Sequence, residues 1–320
     1  MTSVVTPQTS PATAAPDRPR PVRRRRARSQ ALVFWLFVGP FAVGLLIFVY
    51  VPILWSLWLS FYDSQSTVTP TEFVGLRNYQ DMLSSGPFRE SLITFTLFAA
   101  FIVPLTFAAS LGLALMVHRI RFAQAFFRSV FFLPTACSYV VASLIWKLSI
   151  FNGVRFGLAN TVLEVFGQDP IPWLSVAQPP WYWFPIISVR LWLQVGFYMI
   201  LFLAGLQRIP RELYEAAWVD GASPGWKTFR HITLPQLRNT SVAVLLLLFI
   251  AAYQAFDEFY NLLGNVVNYA RTPLQQLYIT ALGASQDYGR GSAGAMILSL
   301  LIIFVTLFQG KLFGFGKPAE

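Results

Sequence analysis

Glu212-Leu-Tyr-Glu215-Ala-Ala-Trp-Val-Asp220-Gly221-Ala222, followed by Phe229-Arg-His-Ile232-Thr-Leu234-Pro235, is a polar, helix-forming stretch set between two long apolar blocks. Those blocks, about residues 182–206 and 241–263, are each long enough to cross a bilayer, for which roughly 20 helical residues are needed. A polar segment between two such spans must lie at a membrane face. Its local chemistry is that of a short, separately capped helix. Pro210 can take the first helical position, where its missing donor costs nothing. Glu212 and Glu215 in the early turns suit the helix dipole, and Gly221 can supply the left-handed residue that ends the helix. Ala216 and Ala217 leave a smooth small-residue face, with Glu215 and Asp220 able to add charged contacts at its rim. Such a helix suits recognition in a partner's groove.

Four further apolar blocks fall at about 32–60, 92–117, 126–150 and 291–313, giving six spans in all. The chain is 55% hydrophobic and only 12% charged, with its apolar residues in long runs, so the expected fold class is all-α and polytopic with six transmembrane helices. Pro40, Pro52, Pro104 and Pro134 lie inside these blocks. In a helical bundle the carbonyls they free can find donors on neighbouring helices.

The distribution of Lys and Arg sets the orientation. With the N-terminus inside, 17 of these residues lie on the cytoplasmic side: seven before the first span, three from Arg119 to Arg128, five from Arg208 to Arg238, and Lys311 and Lys317. Five lie outside: Arg77, Arg89, Arg155, Arg271 and Arg290. This asymmetry places both termini in the cytoplasm. It also accounts for the net charge of +10 without a nucleic-acid partner. Residues 1–30, rich in Pro, Ser and Thr and then in Arg from Arg23 to Arg28, read as a disordered basic tail beside the membrane. The block that follows is too long for a signal-peptide core and reads as a retained span.

The chemistry that the chain can carry is limited. Its single cysteine, Cys137, lies in an apolar block, and His118 and His231 stand far apart at loop edges, so neither a disulfide framework nor a metal site is expected. No Gly-rich phosphate loop with Lys-Ser/Thr is present, so energy for any driven process comes from another polypeptide. Outside the membrane, residues 70–90 suggest a small surface helix through Tyr79, Met82 and Leu83. The run Pro172-Trp173 and Trp181-Tyr-Trp183-Phe reads as an interfacial aromatic belt, with an aromatic sugar platform as the sharper alternative.

Polar groups inside spans mark a path, because they are expensive there and usually face a cavity. Arg190, Gln194 and Tyr198 recur every four residues and share one helical face. Gln254, Asp257, Glu258 and Asn261 do much the same in the fifth span, beside Tyr253. These residues can stack on and hydrogen-bond a polyhydroxylated solute. The plainer alternative is that Arg190 pairs with Asp257 or Glu258 to hold the bundle.

The motif Glu215-Ala216-Ala217, Gly221 and Ile232-Thr-Leu234-Pro235, lying between two spans, resembles the EAA loop of the inner-membrane permeases of binding-protein-dependent ABC importers. The flanking Ile209-Pro-Arg-Glu-Leu-Tyr, the Asp220-Gly-Ala run and the Gly75-Leu-Arg-Asn78-Tyr79 element are similar to the carbohydrate-uptake (maltose/glycerol-phosphate type) branch. The resemblance covers about residues 32–313. The Gly221 to Ile232 spacing is one residue longer than the family pattern, with Pro224-Gly225 as the extra turn. The resemblance implies an ABC-importer permease fold in a bacterial cytoplasmic (inner) membrane, built as a tail at 1–30 and a permease domain at 31–320 with a coupling loop at 207–240. It further implies that Glu212, Glu215, Ala216, Ala217, Asp220, Gly221 and Ala222 form a coupling helix for an ATPase. The implied partners are a second permease subunit, a cytoplasmic ATPase dimer carrying ATP and Mg, an extracytoplasmic solute-binding protein and membrane lipid; this chain itself needs no cofactor. The expected function is translocation of a sugar or related solute into the cell, with an ion-coupled secondary transporter as the alternative.

Overall fold

The structure, a computed structural model, describes residues 23–120, 122–153, 156–222, 225–264 and 270–312, without the side chains of 23–31 and 312. The expected tail at 1–22, Pro224 of the extra turn and Lys317 lie outside the described residues. The chain divides into two compact units, Met1–Trp55 and Ser56–Glu320.

The first unit is helical from Arg23, so the basic run Arg23–Arg28 begins a helix within the stretch expected to be disordered. Helix α1 (Arg23–Leu45) passes through a π-helical turn, Leu46–Tyr50, into α2 (Val51–Leu59), which ends in the second unit. The wider turn lies just before Pro52, where the missing N–H interrupts regular helical bonding.

In the second unit, a two-residue antiparallel ribbon, β1 (Tyr62–Asp63) and β2 (Glu72–Phe73), leads to α3 (Arg77–Ser84). Asn78 on α3 is buried and donates to the carbonyls of Ser60 (3.0 Å) and Tyr62 (2.8 Å), tying the loop to the end of the first span. Of the residues expected to build this surface helix, Met82 is buried and Leu83 exposed.

Helix α4 (Gly86–Arg119) starts with Pro87 in its first turn and ends with His118 and Arg119 against its negative pole. It packs along α8 (Trp183–Leu206), and both meet α12 (Arg238–Tyr253). Phe95, Phe98, Ile102 and Val103 of α4 interdigitate with Ile186, Val189, Met199 and Phe202 of α8 and with Val244, Leu248 and Ala252 of α12. The outward faces remain apolar: Ile93, Leu97 and Phe101 of α4 are exposed, as are Leu300, Phe304, Leu307 and Phe308 of the last helix. These faces have the character required of lipid-exposed helices, whose solvent is hydrocarbon.

Among the described residues, five helical stretches are long and apolar enough to cross a membrane: Leu32–Leu59, Gly86–Arg119, Trp183–Leu206, Arg238–Leu263 and Tyr288–Lys311. The block at 126–150, expected as one span, is instead two helices bent by 93°. The first comprises α5 (Gln124–Phe132) and a 3₁₀ turn over Leu133–Ala136. The second comprises α6 (Tyr139–Ile145) and a π turn over Trp146–Ile150. Pro134 removes a donor from the 3₁₀ turn, Cys137 is extended, and the Ser138 side chain accepts from the Val140 N–H to start the new helix (3.3 Å). Counted as one broken span, this pair completes six.

The fifth span is also interrupted. α12 stops at Tyr253, and α13 (Asp257–Leu263) begins after a break through Gln254–Phe256. The remaining helices are α7 (Leu158–Val165), α9 (Arg211–Val219), α10 (Trp226–Thr228), α11 (Leu234–Gln236), α14 (Pro273–Leu282) and α15 (Tyr288–Leu312). α14 lies against α15, and Gly291 and Gly294 leave room for Ala281 and Leu277 of α14.

Candidate functional site

The polar loop after the fourth span folds as the separate helix α9. Pro210 stands at its N-cap with extended backbone, one position before the first helical residue, where it was expected. Glu212 lies in the first turn, and Glu215 pairs with Arg211 one turn earlier at 3.2 Å. The far end is a Schellman motif. The Ala222 N–H bonds the Ala217 carbonyl (2.8 Å) and the Gly221 N–H bonds the Trp218 carbonyl (3.2 Å), with Gly221 at φ +85°. Only glycine, or at some cost asparagine, takes that conformation readily.

No residue of α9 is buried. Glu212, Glu215, Ala216, Asp220 and Gly221 are exposed, Ala217 and Ala222 half-buried. Its tether to the rest of the chain runs through Tyr214, whose hydroxyl lies 3.1 Å from that of Thr233 in the π turn Phe229–Thr233. A cavity of about 690 Å³ separates α9 from the bundle, lined by Tyr214, Trp218, Trp226 and Phe229 on one side and by Leu115, His118 and Arg119 from the end of α4 on the other.

The polar residues of the spans divide into groups that the sequence had joined. Gln194 and Tyr198 line a cavity of about 180 Å³ with Thr135, Cys137, Tyr139, Leu193 and Phe197. It lies at the break in the third span, where the Thr135 hydroxyl donates to the Leu193 carbonyl (3.1 Å). Arg190, on the same helical face, is not among the residues lining it: both it and Glu258 are 2% exposed, and they form a buried ion pair. Tyr253 is buried edge-on against Phe95 (5.5 Å). Gln254 and Asp257 are exposed, while the half-buried Asn261 donates to the Asp257 carbonyl (2.7 Å). The fifth-span residues therefore do not form the single polar face expected of them: Gln254 lies in the break itself, and within α13 Glu258 is drawn into the bundle by Arg190 while Asp257 is exposed and Asn261 half-buried.

Sequence reasoning missed Thr135 and Tyr139, whose signal was the Pro134…Ser138 pair that bends the chain and brings both, half-buried, to the cavity wall. It also missed Asn160. This buried amide accepts from the Ile171 N–H (3.0 Å) and the Trp173 indole (2.8 Å) and donates to the carbonyls of Ile171 (3.1 Å) and Asn152 (3.3 Å). Trp173 is thus a buried strut of the loop, neither a belt residue nor a sugar platform. Trp183 stacks on Phe98 at 5.6 Å inside the bundle. Among the described residues no three of His, Cys, Asp and Glu gather as a metal site.

Two broken spans, one of whose breaks lines a cavity, together with a separately capped polar helix at a membrane face, are the features of a helical membrane transport component. The sequence profile described as "Binding-protein-dependent transport system inner membrane component" matches residues 105–313. The trehalose/maltose transport system permease protein MalF of Thermococcus litoralis is 31% identical over 288 residues, covering 90% of this chain and 96% of that one. The arabinooligosaccharides transport system permease protein AraP of Bacillus subtilis is 35% identical over 293 residues, covering 88% and 89%. In fold, the chain is similar to one chain of a bacterial ABC transporter that imports the acidic polysaccharide alginate, with a TM-score of 0.80 at 21% identity over 92% of this chain and 100% of that one. The chain belongs to the inner-membrane components of binding-protein-dependent transport systems. It is a multi-pass membrane permease of a binding-protein-dependent transport system.

Proposed function

We propose that this chain is the permease subunit of an ATP-driven importer that moves a neutral sugar or oligosaccharide into the cell, and that α9 with its Gly221 end is the coupling helix seated in a separate ATPase. The substrate class is supported by the relatives' names, which are of trehalose/maltose and arabinooligosaccharide permeases. The exposure of every α9 residue but Tyr214 and Ala217 carries the coupling assignment. A helix closed at its end by its own backbone and turned outward on nearly all sides gains little from its own chain, and a partner's groove supplies the missing contacts. ATP and Mg would be held by two ATPase subunits, whose closure draws the coupling helices of this chain and a second permease together. The excess of Lys and Arg in alternate loops supports both termini on the cytoplasmic face.

Gln194 and Tyr198, with Thr135 and Tyr139, are this chain's share of the solute path. Their cavity is smaller than the roughly 300–1,000 Å³ of most ligand sites, as suits half of a path completed by a second permease. Its amide, hydroxyls and aromatic rings suit an uncharged polyol. Arg190, Tyr253 and Glu258 belong to the bundle, and Gln254, Asp257 and Asn261 stand at the break beside it.

Glu215→Lys and Gly221→Pro are the test of coupling. Both variants are expected to insert in the membrane normally and to lose the ATPase subunit on purification, with loss of uptake. Recovery of a complete, active complex from both would overturn the assignment.

A further inference from the structure

Arg190 stands where three helices meet. α8 carries it, α4 supplies Phe98, whose ring centroid is 5.7 Å from the guanidinium carbon, and the broken fifth span supplies its polar partners. One terminal nitrogen, Nη2, donates to the Ala251 carbonyl at 2.6 Å, and the other, Nη1, pairs with the Glu258 carboxylate. Ala251 is in the last turn of α12, where the break takes away its helical donor: the Ala255 N–H bonds the Ala252 carbonyl instead (3.1 Å). Glu258 is in the first turn of α13. One cation therefore meets the negative end of one half-helix and a carboxylate at the start of the next, on either side of Gln254–Phe256. Both placements are favoured by the helix dipoles.

α13 has two further ties. The half-buried Lys147, in the π turn that continues α6, donates to the Asn261 carbonyl (3.0 Å), and the buried Gln275 donates to the Gly264 carbonyl (2.9 Å). α6 also packs along α13. The second half of the third span and the second half of the fifth are thus one packed pair, each beginning at a break. Cys137 sits at the first of these breaks, in the wall of the cavity.

We propose that Arg190 is a positioning residue that clamps the fifth span across its break, and that α6 and α13 move as one body when this clamp yields, opening the break at Cys137. This role requires no contact between Arg190 and the solute. The planar guanidinium fork serves carbonyl and carboxylate together, which an ammonium point charge cannot do in the same geometry. Neither half of the pair is expendable, because a buried charge left alone is costly. The inference goes beyond the coupling and substrate readings and needs neither for its test.

The chain's one cysteine is a built-in reporter. In the assembled transporter in membranes, Cys137 alkylation by N-ethylmaleimide is followed on the gel-resolved chain, together with hydrogen–deuterium exchange over residues 254–264. Arg190→Lys and Glu258→Gln are each expected to raise the alkylation rate at least about threefold and to raise exchange over 254–264, as weakened local closure does. Exchange over 86–119 should stay unchanged, which a general loss of folding would not allow. If Arg190→Lys does not accumulate, Glu258→Gln, which keeps the side-chain shape, decides alone. Wild-type alkylation and wild-type exchange over 254–264 would overturn the proposal, including where uptake has changed, since a lost solute contact would alter uptake without opening the break.

Discussion

Gly196 of α8 lies against the backbone of Phe131 so closely that a Cβ at position 196 would stand 1.8 Å from the Phe131 carbonyl oxygen. A small residue at such a crossing lets two membrane helices pack backbone to backbone, where no hydrophobic effect separates them from lipid. Because the obstacle is backbone, it cannot rotate away. We expect Gly196→Ala to destabilise the subunit by about 3 kcal/mol, the upper part of the overpacking range. A lower thermal unfolding midpoint in detergent checks this. Gly112→Ala, where nothing lies within 4 Å, serves as the control and should not lower it.

Gly221 separates two properties of α9, its conformation and its side chain. With φ at +85° and open space around it, the position penalises a Cβ through the backbone alone. Gly221→Ala should cost about 1–2 kcal/mol locally, enough to fray the last turn of α9, whereas Gly221→Asn should be better tolerated. Co-purification of the ATPase subunit measures the outcome, and equal loss from both variants would mean that the side chain matters more than the turn.

Asn160 should be the most sensitive residue of the loop between the third and fourth spans. Asn160→Ala strands a buried indole N–H and a backbone N–H at once, at about 1–3 kcal/mol for each unsatisfied group. Limited proteolysis of right-side-out vesicles should then cut between residues 152 and 180 faster than in wild type, while the spans stay resistant. Unchanged cleavage would show that the loop is held elsewhere.

Gln194→Leu and Tyr198→Phe test the solute path. Each removes a polar group from the cavity wall and keeps most of the volume. Both should raise the half-saturating concentration of the delivered binding protein's sugar or lower the maximal uptake rate by about tenfold, as loss of one polar contact of about 1–1.5 kcal/mol predicts. ATPase recovery should remain normal. Uptake equal to wild type in both variants would remove these two residues from the path.

The spans and the membrane-facing helix were legible in the sequence because apolar length and capping residues are local signals. Gly221 illustrates this: its place after Asp220 already implied the left-handed end that the Schellman motif realises. The contacts of the polar residues inside the spans were less legible. Spacing put Arg190, Gln194 and Tyr198 on one face, yet that face is wide enough for Arg190 to reach Glu258 while Gln194 and Tyr198 line the cavity. In the fifth span the break took Gln254 out of the helix, and the ion pair with Arg190 took Glu258 away from Asp257 and Asn261 within α13. Pro134 was visible too, but a proline in an apolar block is compatible with a straight, kinked or broken span. Ser138 as a fresh N-cap decided for the broken one.

The outward-turned α9 also bears on how the subunit is kept in step with its partners. Leu213, Trp218 and Val219 are exposed on a helix that the chain itself leaves uncovered, with Trp226 exposed just beyond it. A copy made in excess of the other transporter subunits therefore displays an apolar surface of the kind that chaperones and proteases triage. Subunit stoichiometry would then be enforced by selective turnover of orphans, without any dedicated sensor.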